Sequence, residues 1–386
     1  METQNQPAPG QAPPAKTGVA TALPSQPSAA RQQVPGRGLR GVFLGSQGLR
    51  AGWSVLIFLV IFILLNIGVD TALLKAHLVG QGALFAPRSA FFAELGGFLA
   101  LLGAAAAVAF IERRRIMDYN LAGPRRLRRF FFGLAAGFLA LSALVTGLAA
   151  GGWLHFGPAA LSGAAIFRFG ALWGCTFLLA GCVEEGLFRC YLLSTFTRGL
   201  NFWWALGLIA AMCADLAIRA KGNGVWGVFA IALLGLFPCL GLHRRAAPRS
   251  GFWQAAWVTS ALFGFVHLPN GGENWVGIFA AAFIGFVFCV SVRVTGSAWW
   301  AIGCHAGWDW AETFFYGAAD SGLPAKGHYL TTSPAGNPLW SGGANGPEGS
   351  LLVLGVILLL LLLLLWLYGR GKVAAPNAPA AQPAAD

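Results

Sequence analysis

Acidic residues are scarce in this chain. Asp and Glu together number 14 in 386 residues, and all charged side chains make up 10%. A soluble globular domain carries about 25%, so a water-solvated fold is excluded. The cysteines, at 175, 182, 190, 213, 239, 289 and 304, contain no CxxC pair. That removes the common redox and zinc-ribbon patterns, and in their apolar surroundings they read as buried free thiols. HExxH, the helical zinc-protease signature, is missing. So is an internal repeat of the kind many secondary transporters show. Residues 1–36 are rich in Pro, Ala, Gln and Ser and have no apolar stretch, so they do not read as a signal peptide.

Long apolar runs are abundant. The chain is 56% hydrophobic with a mean hydropathy of +0.64. Runs of about 20 residues, enough to cross about 30 Å of hydrocarbon, occur near 53–74, 90–111, 130–152, 168–196, 202–218, 225–242, 252–268, 275–293, 297–317 and 350–368. The expected fold is all-α, a polytopic transmembrane bundle of about ten spans around a cavity within the membrane. Residues 1–50 and 371–386 are expected to be disordered. The membrane domain would cover 51–370, with a core at 168–317 and an inserted helical pair at 202–242. Two spans or a re-entrant pair both fit that insert.

The net charge of +12 does not point to nucleic acid, because the basic residues cluster between apolar runs. Arg113, Arg114 and Arg115, then Arg125, Arg126, Arg128 and Arg129, lie between the second and third runs; Arg244, Arg245 and Arg249 follow the sixth, and Arg370 and Lys372 the tenth. With alternating spans these fall on one side, which the positive-inside rule makes cytoplasmic. Both termini are then cytoplasmic, and loops 75–89, 153–167, 269–274 and 318–349 face the other way. Asp215, Arg219 and Lys221 fit this pattern least well. The expected location is a multi-pass protein of a bacterial inner membrane type.

Against this background a few polar residues stand out. Glu184 and Glu185 lie side by side in an apolar run, with Arg189 one turn on. Carboxylates at bilayer depth cost several kcal/mol each unless paired or hydrated. Glu185 and Arg189 share a helix face, and an arginine stays charged at any depth. Glu184 points about 100° away and is the carboxylate left to take a proton. Phe263 and His267 are also four apart, at the end of the seventh run. His305 and Asp309 are one turn apart, a spacing that lets the carboxylate set the imidazole tautomer and also suits two metal ligands. At about 1.5 Å per residue, Glu184 and Asp309 lie about 18 Å from the cytoplasmic end, His267 about 24 Å and His305 about 12 Å. One cavity can hold all four. Ion pairing between helices, end-capping by His267 and polar helix–helix contacts by His305 and Asp309 are the structural alternatives.

The ordered trio EExxxR, FxxxH and HxxxD resembles that of the CPBP family of intramembrane proteases, the CAAX-processing and bacteriocin-processing enzymes also called Abi. The stretch from Thr295 to Asp309 is similar to the family's third motif with its context, and Ser341–Ser350 resembles a segment of some members. The resemblance covers about 95–370. It implies that Glu184 and His267 activate water, that Glu185 and Arg189 support the site, and that His305 and Asp309 complete it and stabilise the oxyanion. Asp309 stands where Asn is common in the family, and the gap between Glu184 and His267 is long, as an inserted pair at 202–242 would make it.

The reaction implied is peptide hydrolysis within the membrane. Its substrate would be a peptide or membrane protein, prenylated or a bacteriocin precursor. No metal is required by this reading; zinc on Glu184, His267 and His305 is the alternative. A secondary transporter or proton relay would also bury such residues, and a non-catalytic scaffold or immunity protein on the same fold is the third class.

Overall fold

The computed structural model describes residues 39–45, 48–79, 86–219, 224–245, 250–270 and 272–369. Most of the two expected disordered ends therefore lies outside the described residues, as do Arg249, Arg370, Lys372 and Lys221. Within 39–50 there is a helical turn, Leu39–Phe43, and a two-residue antiparallel ladder between Leu44–Gly45 and Gly48–Leu49.

The fold is a polytopic helical bundle. Ten apolar helical runs coincide with the ten expected. We label them α1 (Ala51–Lys75), α2 (Pro87–Glu112), α3 (Arg126–Ala150), α4 (Ala164–Gly199), α5 (Phe202–Arg219), α6 (Gly224–Ile231, Ala232–Leu236 and Phe237–Arg244 in succession), α7 (Ser250–Val266), α8 (Trp275–Thr295), α9 (Trp299–Asp309 continued by Trp310–Phe315) and α10 (Leu351–Tyr368). Among the described residues 8 of them are long and apolar enough to cross a membrane. The other two, α7 and α9, are shorter and carry part of the polar set. A three-residue ladder between Leu154–Phe156 and Thr332–Pro334 ties the α3–α4 loop to the long α9–α10 loop.

Helices α3 and α9 make the closest approach. Gly133 and Gly137 face the carbonyls of Trp300 and Cys304, while Gly303 and Gly307 face those of Phe130 and Leu134. A Cβ on any of the four would collide with the opposing backbone. Each helix thus offers a GxxxG stripe to the other, the arrangement that lets backbones touch where lipid supplies no hydrophobic drive. His305 sits between the two glycines of α9, so this contact sets its position.

Helix α4 contains a π-helical stretch, Gly186–Leu192. Such stretches release backbone groups and cluster at functional sites. Here the freed Arg189 carbonyl accepts a bond from Asn120 Nδ2 at 2.8 Å, and Asn120 itself has a φ of 57°. Trp310–Phe315 is π-helical as well.

Helices α5 and α6 pack on each other and against α7 and α8. Asp215, within an apolar run, is paired with Arg219 at 2.8 Å near the end of α5. All seven cysteines are free thiols, as expected, but their burial differs. Cys190, Cys239, Cys289 and Cys304 are buried, whereas Cys175 is exposed on the outer face of α4. Apolar sequence context does not distinguish a core-facing from a lipid-facing side.

Candidate active site

Glu185 and Arg189 lie where α4 passes into its π-helical stretch. Both side chains are fully buried, and Arg189 Nε is 3.1 Å from Glu185 Oε2. The atoms are close without the alignment of a hydrogen bond, so charge and packing hold the pair. The guanidinium lies 4.1 Å from the Phe263 ring centre, 5.3 Å from that of Phe288 and 5.6 Å from that of Phe188. Aromatic faces attract a desolvated cation, and Arg189 therefore has a cage as well as a counter-ion. Gly285 leaves the space for it, since a Cβ there would meet Arg189 Nη2.

The second oxygen of Glu185 reaches across to α9, where Oε1 is 2.8 Å from His305 Nδ1. A carboxylate accepts, so Nδ1 carries the proton and Nε2 turns toward the cavity. There Nε2 lies 3.3 Å from Asp309 Oδ2 and 3.8 Å from Glu184 Oε2. Asp309 and His305 are almost enclosed. Glu184 retains 38% of its side-chain exposure and is the carboxylate of this group that water reaches most readily.

His267 follows the last turn of α7. Its Nδ1 is 2.7 Å from the Phe263 carbonyl oxygen, one of the carbonyls a helix end leaves unpaired. The carbonyl can only accept, so Nδ1 carries the proton and Nε2 has a free lone pair. His267 is thus a helix cap and a cavity residue at once.

Glu184, His267, His305, Asp309 and Phe263 line one cavity of about 260 Å³. Glu185 and Arg189 do not line it; Glu185 reaches it through its bond to His305. The sequence-expected residues are therefore brought together, and the cavity adds others that sequence reasoning missed. Glu94 of α2 lines it; an acidic residue alone in an apolar run was the available signal. Asp320 and Glu348 also line it; Glu348 falls in the Ser341–Ser350 segment already noted, whereas nothing in the sequence marks Asp320. Glu273, just before α8, accepts bonds from the Asn274 backbone N–H at 2.9 Å and from Asn345 Nδ2. Burial lifts its carboxyl to about 8. Nearby Trp308 donates its indole N–H to Glu312 at 3.0 Å and to Glu348 at 2.7 Å.

The proposed zinc ligands do not converge. Among the described residues Glu184, His267 and His305 do not bring one ligand atom each within 4.8 Å of one another, whereas Glu312, Asp320 and Glu348 do. This arrangement does not fit a catalytic zinc, which takes three protein ligands in a tetrahedral shell.

Residues 237–311 match the family Type II CAAX prenyl endopeptidase Rce1-like. The match takes in Phe263, His267, His305 and Asp309 and agrees with the resemblance drawn from the ordered motifs. It does not extend to Glu184, which lines the same cavity, or to Glu185 and Arg189, which back His305. The matched stretch is about a fifth of the chain, and the family it resembles is one of endopeptidases. No curated protein and no solved structure matches the chain.

Proposed function

We propose that the chain is an intramembrane endopeptidase in which Glu184 is the general base and no metal takes part. The observation that supports this most is the convergence of Glu184, His267, His305 and Asp309 on one cavity, with His305 held by the buried Glu185–Arg189 pair.

Water enters the cavity and hydrogen-bonds to Glu184 and to His267 Nε2. Its oxygen attacks the scissile carbonyl carbon as Glu184 takes a proton, a contribution of about 10²–10⁴ in rate. Negative charge then gathers on the former carbonyl oxygen. His305, protonated at both ring nitrogens between Glu185 and its carboxylate partners, donates through Nε2 to that oxygen. A positioned donor of this kind contributes about 10²–10³. The C–N bond breaks, and the proton held by Glu184 passes to the leaving amine. Arg189 sits against one oxygen of Glu185, and Glu185 fixes the His305 ring through the other without itself touching substrate. Asp309 accepts from Nε2 when the oxyanion is absent.

The substrate class we infer is a membrane-anchored polypeptide, because the cavity lies among apolar helices and its reacting groups sit below both ends of the spans. Prenylated C-terminal peptides and bacteriocin precursors both meet that description. The orientation we propose has both termini in the cytoplasm, on the strength of the basic loops.

The test is cleavage by purified protein in liposomes, using lipid-anchored peptides with and without a prenyl group, beside the Glu184→Gln variant. Cleavage by the wild type and none by the variant is expected. Undiminished cleavage by Glu184→Gln rejects the base assignment. Stoichiometric zinc whose removal abolishes cleavage and whose return restores it rejects the metal-free mechanism.

A further inference from the structure

Three carboxylates outside the proposed catalytic group converge beside the cavity, two of them, Asp320 and Glu348, lining it. Glu312 comes from the π-helical extension of α9, Asp320 from the loop after it, and Glu348 from the turn Pro347–Gly349 just before α10. One oxygen from each lies within 4.8 Å of the others. Among the described residues none of the three is in an ion pair with Arg, Lys or His. Their hydrogen bonds come instead from neutral donors. Trp308 Nε1 donates to Glu312 Oε2 and Glu348 Oε1, Ser321 Oγ to Glu348 Oε2 at 2.8 Å, and Thr313 Oγ1 to Asp320 Oδ2 at 3.0 Å. Glu312 is fully buried, and its remaining oxygen, Oε1, has no hydrogen-bond partner. A buried carboxylate oxygen left without a partner carries a large desolvation cost, and here it belongs to a group whose charges have the same sign.

We propose that Glu312, Asp320 and Glu348 bind a divalent cation of the calcium type. The donor set is entirely oxygen, which suits a hard cation and not zinc or copper. Calcium accepts an irregular shell with oxygens about 2.3–2.6 Å away, whereas magnesium demands a near-ideal octahedron. Two oxygens on one calcium are thus up to about 5 Å apart, the scale of this cluster. The ligands come from three separate segments, which favours the more tolerant ion. Neutral donors orient one oxygen of Glu312, one of Asp320 and both of Glu348, as supporting residues do around metal sites, and leave Glu312 Oε1 without a partner. Asp320 and Glu348 line the cavity, which provides a route of access. The bound ion clamps the end of α9, the 318–323 loop and the start of α10 around the cavity, so its first effect is on the stability of that region. It does not act on the scissile bond.

The experiment is thermal unfolding of the full chain in detergent, first stripped with a chelator and then titrated with calcium chloride, with magnesium chloride in parallel. Calcium should raise the Tm saturably, at about the 10⁻⁴–10⁻³ M typical of extracellular sites, and magnesium should raise it less. Glu348→Gln and Asp320→Asn should lose the calcium response, and without calcium should unfold no earlier than the stripped wild type, because each removes a like charge. Glu184→Gln should keep the response, which separates this site from the catalytic group even if the proteolytic reading fails. Calorimetry on the wild type reads binding directly and does not depend on any variant folding. No calcium binding by the wild type, or the same shift in Glu348→Gln, overturns the proposal.

Discussion

Glu185 binds His305 across 120 residues of chain, with Oε1 2.8 Å from Nδ1, while its other oxygen faces Arg189. One carboxylate thus joins the buried cation to the imidazole that faces the cavity. The neighbouring Glu184 stays half-open to water. Two adjacent glutamates have separate environments because successive helical residues point about 100° apart.

That division predicts different outcomes at the two positions. Glu184→Gln and His267→Ala should each lower proteolysis at least about 10²-fold, the lower range for general acid–base groups, with the Tm of Glu184→Gln unchanged or higher. Cleavage rates on a confirmed substrate, paired with thermal unfolding in detergent, check this. A Glu184→Gln enzyme of near wild-type rate would remove Glu184 from the mechanism.

Arg189→Ala should behave differently. It leaves Glu185 buried without its counter-ion, and breaking such a pair on one side costs roughly 3–5 kcal/mol. Activity and Tm should fall together. Arg189→Lys should rescue little, because a compact ammonium does not stack on Phe188, Phe263 and Phe288 as a planar guanidinium does. Equal melting temperatures for wild type and Arg189→Ala would show that the ion pair carries no stability.

Gly137→Leu or Gly307→Leu should separate α3 from α9 and displace His305, with loss of both folded yield and activity. Gly207→Ala in α5 is the control, since a Cβ there meets nothing within 4 Å. Exchanging Gly for Ala in a helix interior is worth up to about 1 kcal/mol in favour of Ala. Size-exclusion profiles and unfolding curves distinguish the cases. A Gly307→Leu protein as stable as wild type contradicts the close approach.

Glu273 supplies a pH dependence. Its carboxyl is raised in the folded chain to about 8 from an ordinary 4.5, chiefly by burial. The folded state therefore holds a proton that the unfolded chain releases between these values. Stability contributed by the protonated form is complete below about 4.5 and is lost as pH rises toward about 8. Glu273→Gln should match wild type at low pH and exceed it in Tm above pH 8. Parallel Tm–pH curves for the two proteins would exclude an elevated Glu273.

Reporter fusions or cysteine labelling test the proposed orientation. Residues 118–128 should be cytoplasmic and 325–345 on the opposite side, as the basic loops require. Finding 325–345 in the cytoplasm would overturn the ten-span count.

Most of the helical plan was legible in the sequence, since a membrane span must satisfy its backbone internally and so announces itself as a long apolar run. The pairs Glu185–Arg189 and His305–Asp309 were legible for a local reason: residues four apart on a helix share a face. The facing of Cys175 was not, because an apolar run looks the same whether it meets protein or lipid. Neither was the Glu185–His305 bond, nor the meeting of Glu312, Asp320 and Glu348. Those contacts depend on how α4, α9 and α10 are rotated and how closely they cross. The glycine stripes of α3 and α9 and the π-helical stretches after Glu185 and Asp309 decide that in three dimensions. Sequence spacing determines which residues neighbour one another along a helix; only the packing of helices decides which of them face each other across the cavity.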